Sequence, residues 1–359
     1  MAYKIFVINP GSTTTKVAYY EDETQVYNKS IEHTDEELDR YDSILAQEDF
    51  RTAVVRKAIE DWDIDIDSLS VIMARGNLLP GMSSGGYKVD ANMVDALRSG
   101  IASPHASNLA ALIAYSIAEP HGIPAFIYDS VTSDEFAPIA KITGLPGVKR
   151  QNMCHVLNMK AVSRKVAEED GKRYEDIKVI VAHLGGGITI SVHENGRIVD
   201  ALRDDDGPFS PERTGSISVL YVLDMAYSGD FTKKEMISFI RGKGGIKAYL
   251  GTSDMRKVEQ MIADGNQEAK LLYEAMAYQI AKGIGLLAPV VSGKLDHIIL
   301  TGGMVAMENL VNLIRERVEF IAPVVLVPGE FEMDALAQGA TRILDGESYR
   351  LFKLEKNEK

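Results

Sequence analysis

Lys4-Ile5-Phe6-Val7-Ile8 runs directly into Asn9-Pro10-Gly11-Ser12-Thr13-Thr14-Thr15-Lys16. The first segment has the length and apolar content of a buried strand. The second reads as a loop rich in hydroxyls, with one glycine and a closing lysine. Between two strands, such a loop aims backbone N–H groups and Ser/Thr hydroxyls at an anion while the lysine supplies charge. A second strand (17–20), an acidic turn (21–23) and a third strand near 25–27 follow. The same order returns in the second half of the chain. There, 177–182 is a strand, His183-Leu184-Gly185-Gly186-Gly187 is a loop whose glycines admit close approach of phosphate oxygens, and 188–192 alternates as a strand. Asn195-Gly196 then turns tightly into 197–201.

The correspondence continues outward from the loops. Strand 70–74 ends at Arg75-Gly76, as strand 297–300 ends at Thr301-Gly302-Gly303. A helix over 106–119 leads into strand 123–129, as a helix over 308–320 leads into 322–327. Each half therefore reads as three hairpin-linked strands followed by strand–helix–strand units, a mixed sheet with helices on its faces. The α/β chain is predicted to be a duplication, against the alternative of two unrelated α/β domains. Alone, either loop is only a hairpin; at equivalent points of a repeat the two together point to phosphate.

Bulk properties narrow the function classes. The 359 residues suffice for two domains, and 45% hydrophobic with 25% charged residues is globular composition. A net charge of −13 argues against nucleic acid or an anionic membrane as partner, so an anionic substrate requires locally concentrated Arg and Lys. Cys154 is the only cysteine, which excludes an intrachain disulfide. The N-terminal apolar run lacks the length of a signal peptide, and 280–291, with the charge of Lys282 within it and those of Lys294 and Asp296 after it, is too short to span a bilayer. A cytoplasmic protein is expected.

Other segments carry packing signals. Ile44, Leu45, Val54, Val55, Ala58, Ile59 and Trp62 recur at helical spacing; Thr232 with Glu235 forms a capping box; 271–287 is a long helix softened by Gly283 and Gly285; and 353–359 is a charged tail. No P-loop or dinucleotide fingerprint occurs. Gly81-Met82-Ser83-Ser84-Gly85 matches the G-x-S-x-G of hydrolases, but Leu78-Leu79-Pro80 precedes it, Gly86-Tyr87 follows, and no strand-to-helix elbow is indicated. A hydrolase is accordingly a distant reading.

On these residues the chain resembles the acetate/butyrate kinase family of the actin-like ATPase superfamily, over nearly its whole length and with the motifs in family order. The resemblance implies two duplicated actin-like ATPase (ribonuclease H-like) domains with a nucleotide cleft between them. Residues 1–153 plus 335–359 would form the first, and 154–334 the second, carrying most nucleotide contacts. Asn9, Ser12, Thr13, Thr14 and Lys16 fall in the first phosphate loop, His183, Gly185, Gly186 and Gly187 in the second. Gly302 and Gly303 lie in an adenosine-binding motif, with Asp254 and Arg256 in a further nucleotide-contacting loop. The acid-site matches are Arg75, Arg213, Asp129 and His155. Glu332, with Asp129, is matched to magnesium placement, Glu330 being a competitor for that role.

Ala74-Arg75-Gly76-Asn77-Leu78-Leu79-Pro80, Gly85-Gly86-Tyr87 and Gly186 in place of asparagine are similar to the butyrate branch rather than to acetate kinases. The activity implied is reversible phosphoryl transfer between ATP and a short or branched-chain fatty acid, with Mg²⁺, by a homo-oligomer. An acetate or propionate kinase, or an ATP-driven switch of the same fold, are the alternatives. Arg75 and Arg213 separate the last, since a switch has no need of two guanidinium groups over a γ-phosphate. Plainer roles stand beside these. Arg213 after Ser210-Pro211 could be a surface arginine, and Arg75 a structural ion pair. His105 could start a helix or line the acid pocket. Asp204-Asp205-Asp206-Gly207 could be a solvated loop rather than a metal site. Cys154 beside His155 is not expected to form a dyad.

Overall fold

The unbroken buried runs 5–8 and 17–20 of the first hairpin give its sheet a core on both faces. In the computed structural model, which describes residues 2–353, β1 (Lys4–Pro10) pairs antiparallel with β2 (Thr14–Glu21), and β2 with β3 (Thr24–Glu32). β4 (Val71–Arg75) runs parallel to β1, and β6 (Ala125–Tyr128) parallel to β4. β5 (Gly86–Lys88) and β12 (Arg350–Leu351) extend this sheet beyond β6 to seven strands. Phe6, Ile8, Ile72 and Ala74 share one core with Leu109, Leu112 and Ile113 of the helix Asn108–Ala118 and Val55 and Ile59 of the helix Glu48–Asp61. The helix Glu332–Leu344 packs on the sheet as well.

The second sheet repeats the plan. β7 (Val179–Leu184), β8 (Ile188–Glu194) and β9 (Arg197–Leu202) form an antiparallel meander, while β10 (His297–Gly302) and β11 (Val324–Pro328) add in parallel beside β7. Its order, β11-β10-β7-β8-β9, matches β6-β4-β1-β2-β3 position for position. The duplication read from loop and strand order is thus present as sheet topology. Ile180, Ala182, Ile298 and Leu300 pack here against Ile280 and Ile284 of the helix Gln267–Leu287 and Leu310 and Ile314 of Glu308–Val318. The long helix runs unbroken through Gly283 and Gly285. Thr232 and Glu235 form the expected capping box.

Both loops read as anion-binding are shorter than expected, because strand pairing extends into them. β1 continues to Pro10 and β2 begins at Thr14, leaving 11–13 as the turn; in the second half only 185–187 stay outside strands. The compact units also divide elsewhere than at 153/154 and 334/335. One comprises the described residues through Asp134 and from Phe331 onward, the other Glu135–Glu330. The physical reason lies in hydrogen bonding. Glu135 pairs with Lys160 at 2.9 Å and accepts from Ile198 N–H, Ala137 N–H donates to Val199 O, and Arg150 pairs with Asp200 at 2.8 Å, which ties 135–150 to the second sheet. Of the charged tail, 354–359 lie outside the described residues. Among the described residues no helix is long and apolar enough to cross a membrane.

Candidate functional site

In parallel sheets, ligand-binding side chains collect beyond the carboxyl ends of the strands. Three neighbouring parallel strands of the first unit end in residues expected to be functional. Asn9 is at the end of β1 and Arg75 at the end of β4, while Asp129 directly follows β6. Arg75 Nη1 donates to Asn9 Oδ1 at 3.0 Å and to Glu332 Oε2 at 3.0 Å, and Asn9 Nδ2 donates to the same Glu332 oxygen at 2.7 Å. Glu332 was expected in the second domain; these bonds make it part of the first. It opens the helix Glu332–Leu344, where the helix N-terminus favours a negative charge. The Arg75–Glu332 pair is mostly sheltered, with side chains 20% and 14% exposed.

Asp129 has a positive φ of 43°, a conformation that non-glycine residues adopt only when their surroundings impose it. Its Oδ1 accepts from Ser84 Oγ at 2.5 Å and from Gly85 N–H at 2.9 Å. The stretch that matched a hydrolase elbow therefore binds a carboxylate. Ser83 sits in a loop leading into β5, with its N–H donated to Tyr87 Oη, so the serine has neither the strand nor the helix that an elbow requires. Two carboxylates oriented by N–H and O–H donors suit a hard cation that takes one or two protein oxygens and completes its shell with phosphate and water. One oxygen of each is engaged in this way, Asp129 Oδ1 by Ser84 and Gly85 and Glu332 Oε2 by Arg75 and Asn9. Among the described residues no cluster of three or more potential metal ligands occurs.

Ser12 and Thr13 are exposed at the tip of the first loop, Thr14 is half-buried, and Lys16 follows in β2 opposite Asn9. Sequence reading missed what stands behind the loop. Arg51, in the helix Glu48–Asp61, is 1% exposed and hydrogen-bonds the loop carbonyls. Its position three and four residues before Val54 and Val55 marked the start of an apolar helical face, and a charged residue at such a position was the available signal.

In the second unit, His183 lies in β7 and His155 immediately precedes the helix Val156–Glu169. Their rings stack at 3.9 Å between centroids and 15° between planes, a juxtaposition that the separate motifs did not reveal. His155 Nδ1 is 2.8 Å from Thr189 Oγ1 and His183 Nδ1 is 3.0 Å from Asn158 Nδ2. With the Asn158 amide as donor, His183 accepts at Nδ1 and carries its proton at Nε2. Cys154 is buried, which pushes its thiol up to about 12, and this excludes thiolate chemistry near neutrality.

Arg213 lies against the glycine loop: its Nε is 3.3 Å from the point a Cβ on Gly187 would occupy. The turn 210–213 also grips Gly186, whose carbonyl accepts from Ser210 Oγ at 2.7 Å and Glu212 N–H at 3.2 Å. Arg213 is no plain surface arginine. Its Nε stands 3.0 Å from Asp204 Oδ2, at ion-pair distance but out of line for a hydrogen bond. Arg241 joins Asp204 at 3.1 Å and Asp205 at 3.3 Å, and Arg203 pairs with Asp205 at 2.8 Å. The acidic run expected to be solvated is instead threaded with arginines.

Thr301-Gly302-Gly303 ends β10 beside the same loop, Gly302 exchanging backbone hydrogen bonds with Gly329. Asp254 and Arg256 stand apart from these contacts. Asp254 caps the helix Met255–Ala263 through Arg256 N–H and binds the Arg256 guanidinium through both oxygens at 2.9 Å, which holds its carboxyl down at about 2. His105 Nδ1 accepts from Ser107 N–H just before the helix Asn108–Ala118, as a helix-start residue does.

Residues 141–335 match the acetokinase family. A probable butyrate kinase of Clostridium botulinum (strain Alaska E43 / Type E3) is 43% identical over 97% of this chain and 98% of its own length. The acetate kinase of Porphyromonas gingivalis superposes with a TM-score of 0.78 at 18% identity, covering 95% of this chain and 99% of that one. A propionate kinase of Francisella tularensis subsp. tularensis SCHU S4 gives 0.75 at 17% identity, covering 94% and 98%. The fold is the duplicated actin-like ATPase fold of these kinases.

Proposed function

Since the chain belongs to the acetokinase family, we propose that it moves a phosphoryl group reversibly between ATP and butyrate, or a similar short or branched-chain acid, forming an acyl phosphate and ADP. It is a phosphotransferase with a carboxyl group as acceptor. The observation that supports this reading most is that each unit holds an arginine at an anion-binding loop, Arg75 on Asn9 and Arg213 beside Gly187.

A fatty-acid carboxyl has a pKa of about 4–5 and is ionised at neutral pH, so the nucleophile needs no general base. The obstacle is the approach of one anion to another. Fixed positive charge and in-line positioning therefore supply most of the catalysis. In this reading Arg75 and Arg213 take carboxylate and phosphoryl oxygens through planar forks. His155, its ring fixed by Thr189 and His183, donates to the transferring group. Asn9, Ser12, Thr13, Thr14 and Lys16 with His183, Gly185, Gly186 and Gly187 receive nucleotide phosphates, Gly302 and Gly303 adjoin the adenosine, and Asp254 and Arg256 offer a further nucleotide contact. Asp129, with Glu332 second, would hold Mg²⁺, which when bound offsets phosphate charge. Such an enzyme works where ATP is, in the cytoplasm.

A hydroxylamine trap for acyl phosphate, run with ATP, Mg²⁺ and acids of two to five carbons, tests the assignment. The signal is expected to peak at four or branched five carbons. A flat background with every acid rejects it.

We propose in addition that the enzyme self-associates. The helix Val219–Tyr227 is apolar yet buries none of its residues: Val219, Leu220, Tyr221 and Tyr227 are 70–86% exposed, and Phe231, Ile237 and Phe239 are exposed nearby. Aromatic side chains of ~150–250 Å² each, together with the aliphatic ones, approach the ~800 Å² per partner of a stable interface. A second copy, which the family resemblance implies, is the occupant. Leu220→Glu with Tyr221→Glu is expected to lower the mass seen in sedimentation to that of a single chain. An unchanged mass, or a wild type already monomeric, removes the proposal.

A further inference from the structure

The loop 11–14 has an unusual distribution of hydrogen bonds. Arg51 Nη1 donates to Gly11 O at 2.7 Å and Thr14 O at 2.9 Å, and its Nη2 donates to Ser12 O at 2.8 Å. The intervening Thr13 O accepts from His33 N–H at 2.8 Å. All four consecutive carbonyls are thus drawn to the back of the loop. Among the described residues, neither Ser12 N–H nor Thr13 N–H has an acceptor, and both side chains are exposed. A turn whose acceptors face inward and whose donors face outward is a nest for an anion.

The means of achieving this is unusual for a helix core. Arg51 lies on the same helical face as Val55, Ala58 and Ile59, all buried, where an apolar residue would pack. Its Nε donates to buried Gln47 Oε1 at 3.0 Å, and a further contact runs from Nη1 to Thr15 Oγ1 at 3.3 Å. Thr15 Oγ1 in turn lies 2.8 Å from His33 Nε2. Burial, with Arg51 close by, moves the His33 pKa down, so this imidazole is neutral and adds no counter-charge of either sign. Among the described residues no carboxylate forms an ion pair with Arg51. A buried guanidinium held only by uncharged oxygens is a poor device for stability, since a well-packed apolar side chain serves as well or better there. Its charge is left to act on whatever anion sits in front of the loop.

We infer that Arg51 is a positioning residue for the first phosphate loop, holding the carbonyls of Gly11, Ser12 and Thr14 inward so that the outward N–H and hydroxyl groups meet the nucleotide phosphates. This rests on the reading of 9–16 as a phosphate loop. Arg51 touches no substrate itself.

The test compares ADP with adenosine, which differ only in the phosphates, by calorimetric binding to the full chain. Arg51→Met keeps length and apolar packing but removes the fork. Its ADP dissociation constant is expected to rise about 10–100-fold, by analogy with the range seen when outer-shell partners of metal sites are removed, with adenosine affinity unchanged. Hydrogen exchange should accelerate at 11–14 and nowhere else. Arg51→Lys, which retains charge but lacks the fork, should fall between, and it decides the matter on the same ratio if the methionine variant does not fold. A melting temperature that drops while the ADP-to-adenosine ratio stays fixed makes Arg51 merely structural and overturns the inference. Thr13→Asp separates the two levels. If it leaves ADP binding intact, the loop binds no phosphate and the functional reading fails. If it weakens ADP binding while Arg51→Met does not, only the role of Arg51 fails.

Discussion

Replacing Arg75 with alanine should lower kcat for acyl phosphate formation by about 10²–10³-fold, roughly 2.7–4 kcal/mol of barrier, by analogy with the loss of one oriented donor to a developing anion. KM for ATP should change little if the guanidinium acts chiefly on the acid and the transferring group. The structure adds a second contribution. Without Arg75, Glu332 loses the guanidinium 3.0 Å from its Oε2, and in the proposed site its negative charge would oppose the incoming anion. Arg75→Ala combined with Glu332→Gln should therefore recover part of the lost rate. A purely structural ion pair predicts something else: a fall in melting temperature, repaired by the double substitution, with kcat near wild type throughout. Arg75→Lys should remain well below wild type, because a point charge cannot bond Asn9, Glu332 and a carboxylate with one planar fork. Steady-state hydroxylamine assays of the four proteins decide between these outcomes, and a kcat for Arg75→Ala within about threefold of wild type rules out the catalytic role.

Local pattern made much of this legible from residues alone. Periodicity and turn residues locate the strands and the two turns read as anion loops, and their repeated order anticipates two sheets of matching topology. What stayed hidden depends on contacts between residues far apart in sequence. Glu332 was assigned to the wrong side of a boundary because its partners, Asn9 and Arg75, are at the other end of the chain. The segment 135–150 has little regular structure, and only its bonds to Lys160, Ile198, Val199 and Asp200 show which unit holds it. Asp204 and Asp205 looked solvated because the arginines that face them include Arg213 and Arg241, supplied by later loops. Arg51 was passed over for a different reason. Periodicity ranks a charged residue at a core position as an exposed one, whereas here buried carbonyls take the place of water.

Gly302 and Gly303 offer the sharpest separation of fold from ligand. Gly302 has φ of +97°, and a Cβ placed there would lie 2.5 Å from Leu184 O, a main-chain atom that cannot swing aside. With ψ of 175° this is a conformation essentially confined to glycine, so alanine would add a backbone cost of about 1–3 kcal/mol to that clash. Either β10 or the start of the loop 185–187 must shift. Gly302→Ala should thus lower the melting temperature by about 5–10 °C, at roughly 2–4 °C per kcal/mol for a unit of this size, and weaken ATP binding together with it. At Gly303 no atom of the described residues, its chain neighbours aside, lies within 4 Å of an added Cβ, and its φ is not positive. Gly303→Ala should melt with the wild type. If adenosine packs against this position, as proposed, the extra methyl group should still reduce affinity for ATP and for adenosine by the same factor, because it meets the part they share. Equal melting with equal affinity would detach Gly303 from the nucleotide and leave Gly302 as a requirement of the chain's own packing. A loss confined to ATP would place phosphate, not adenosine, at the end of β10.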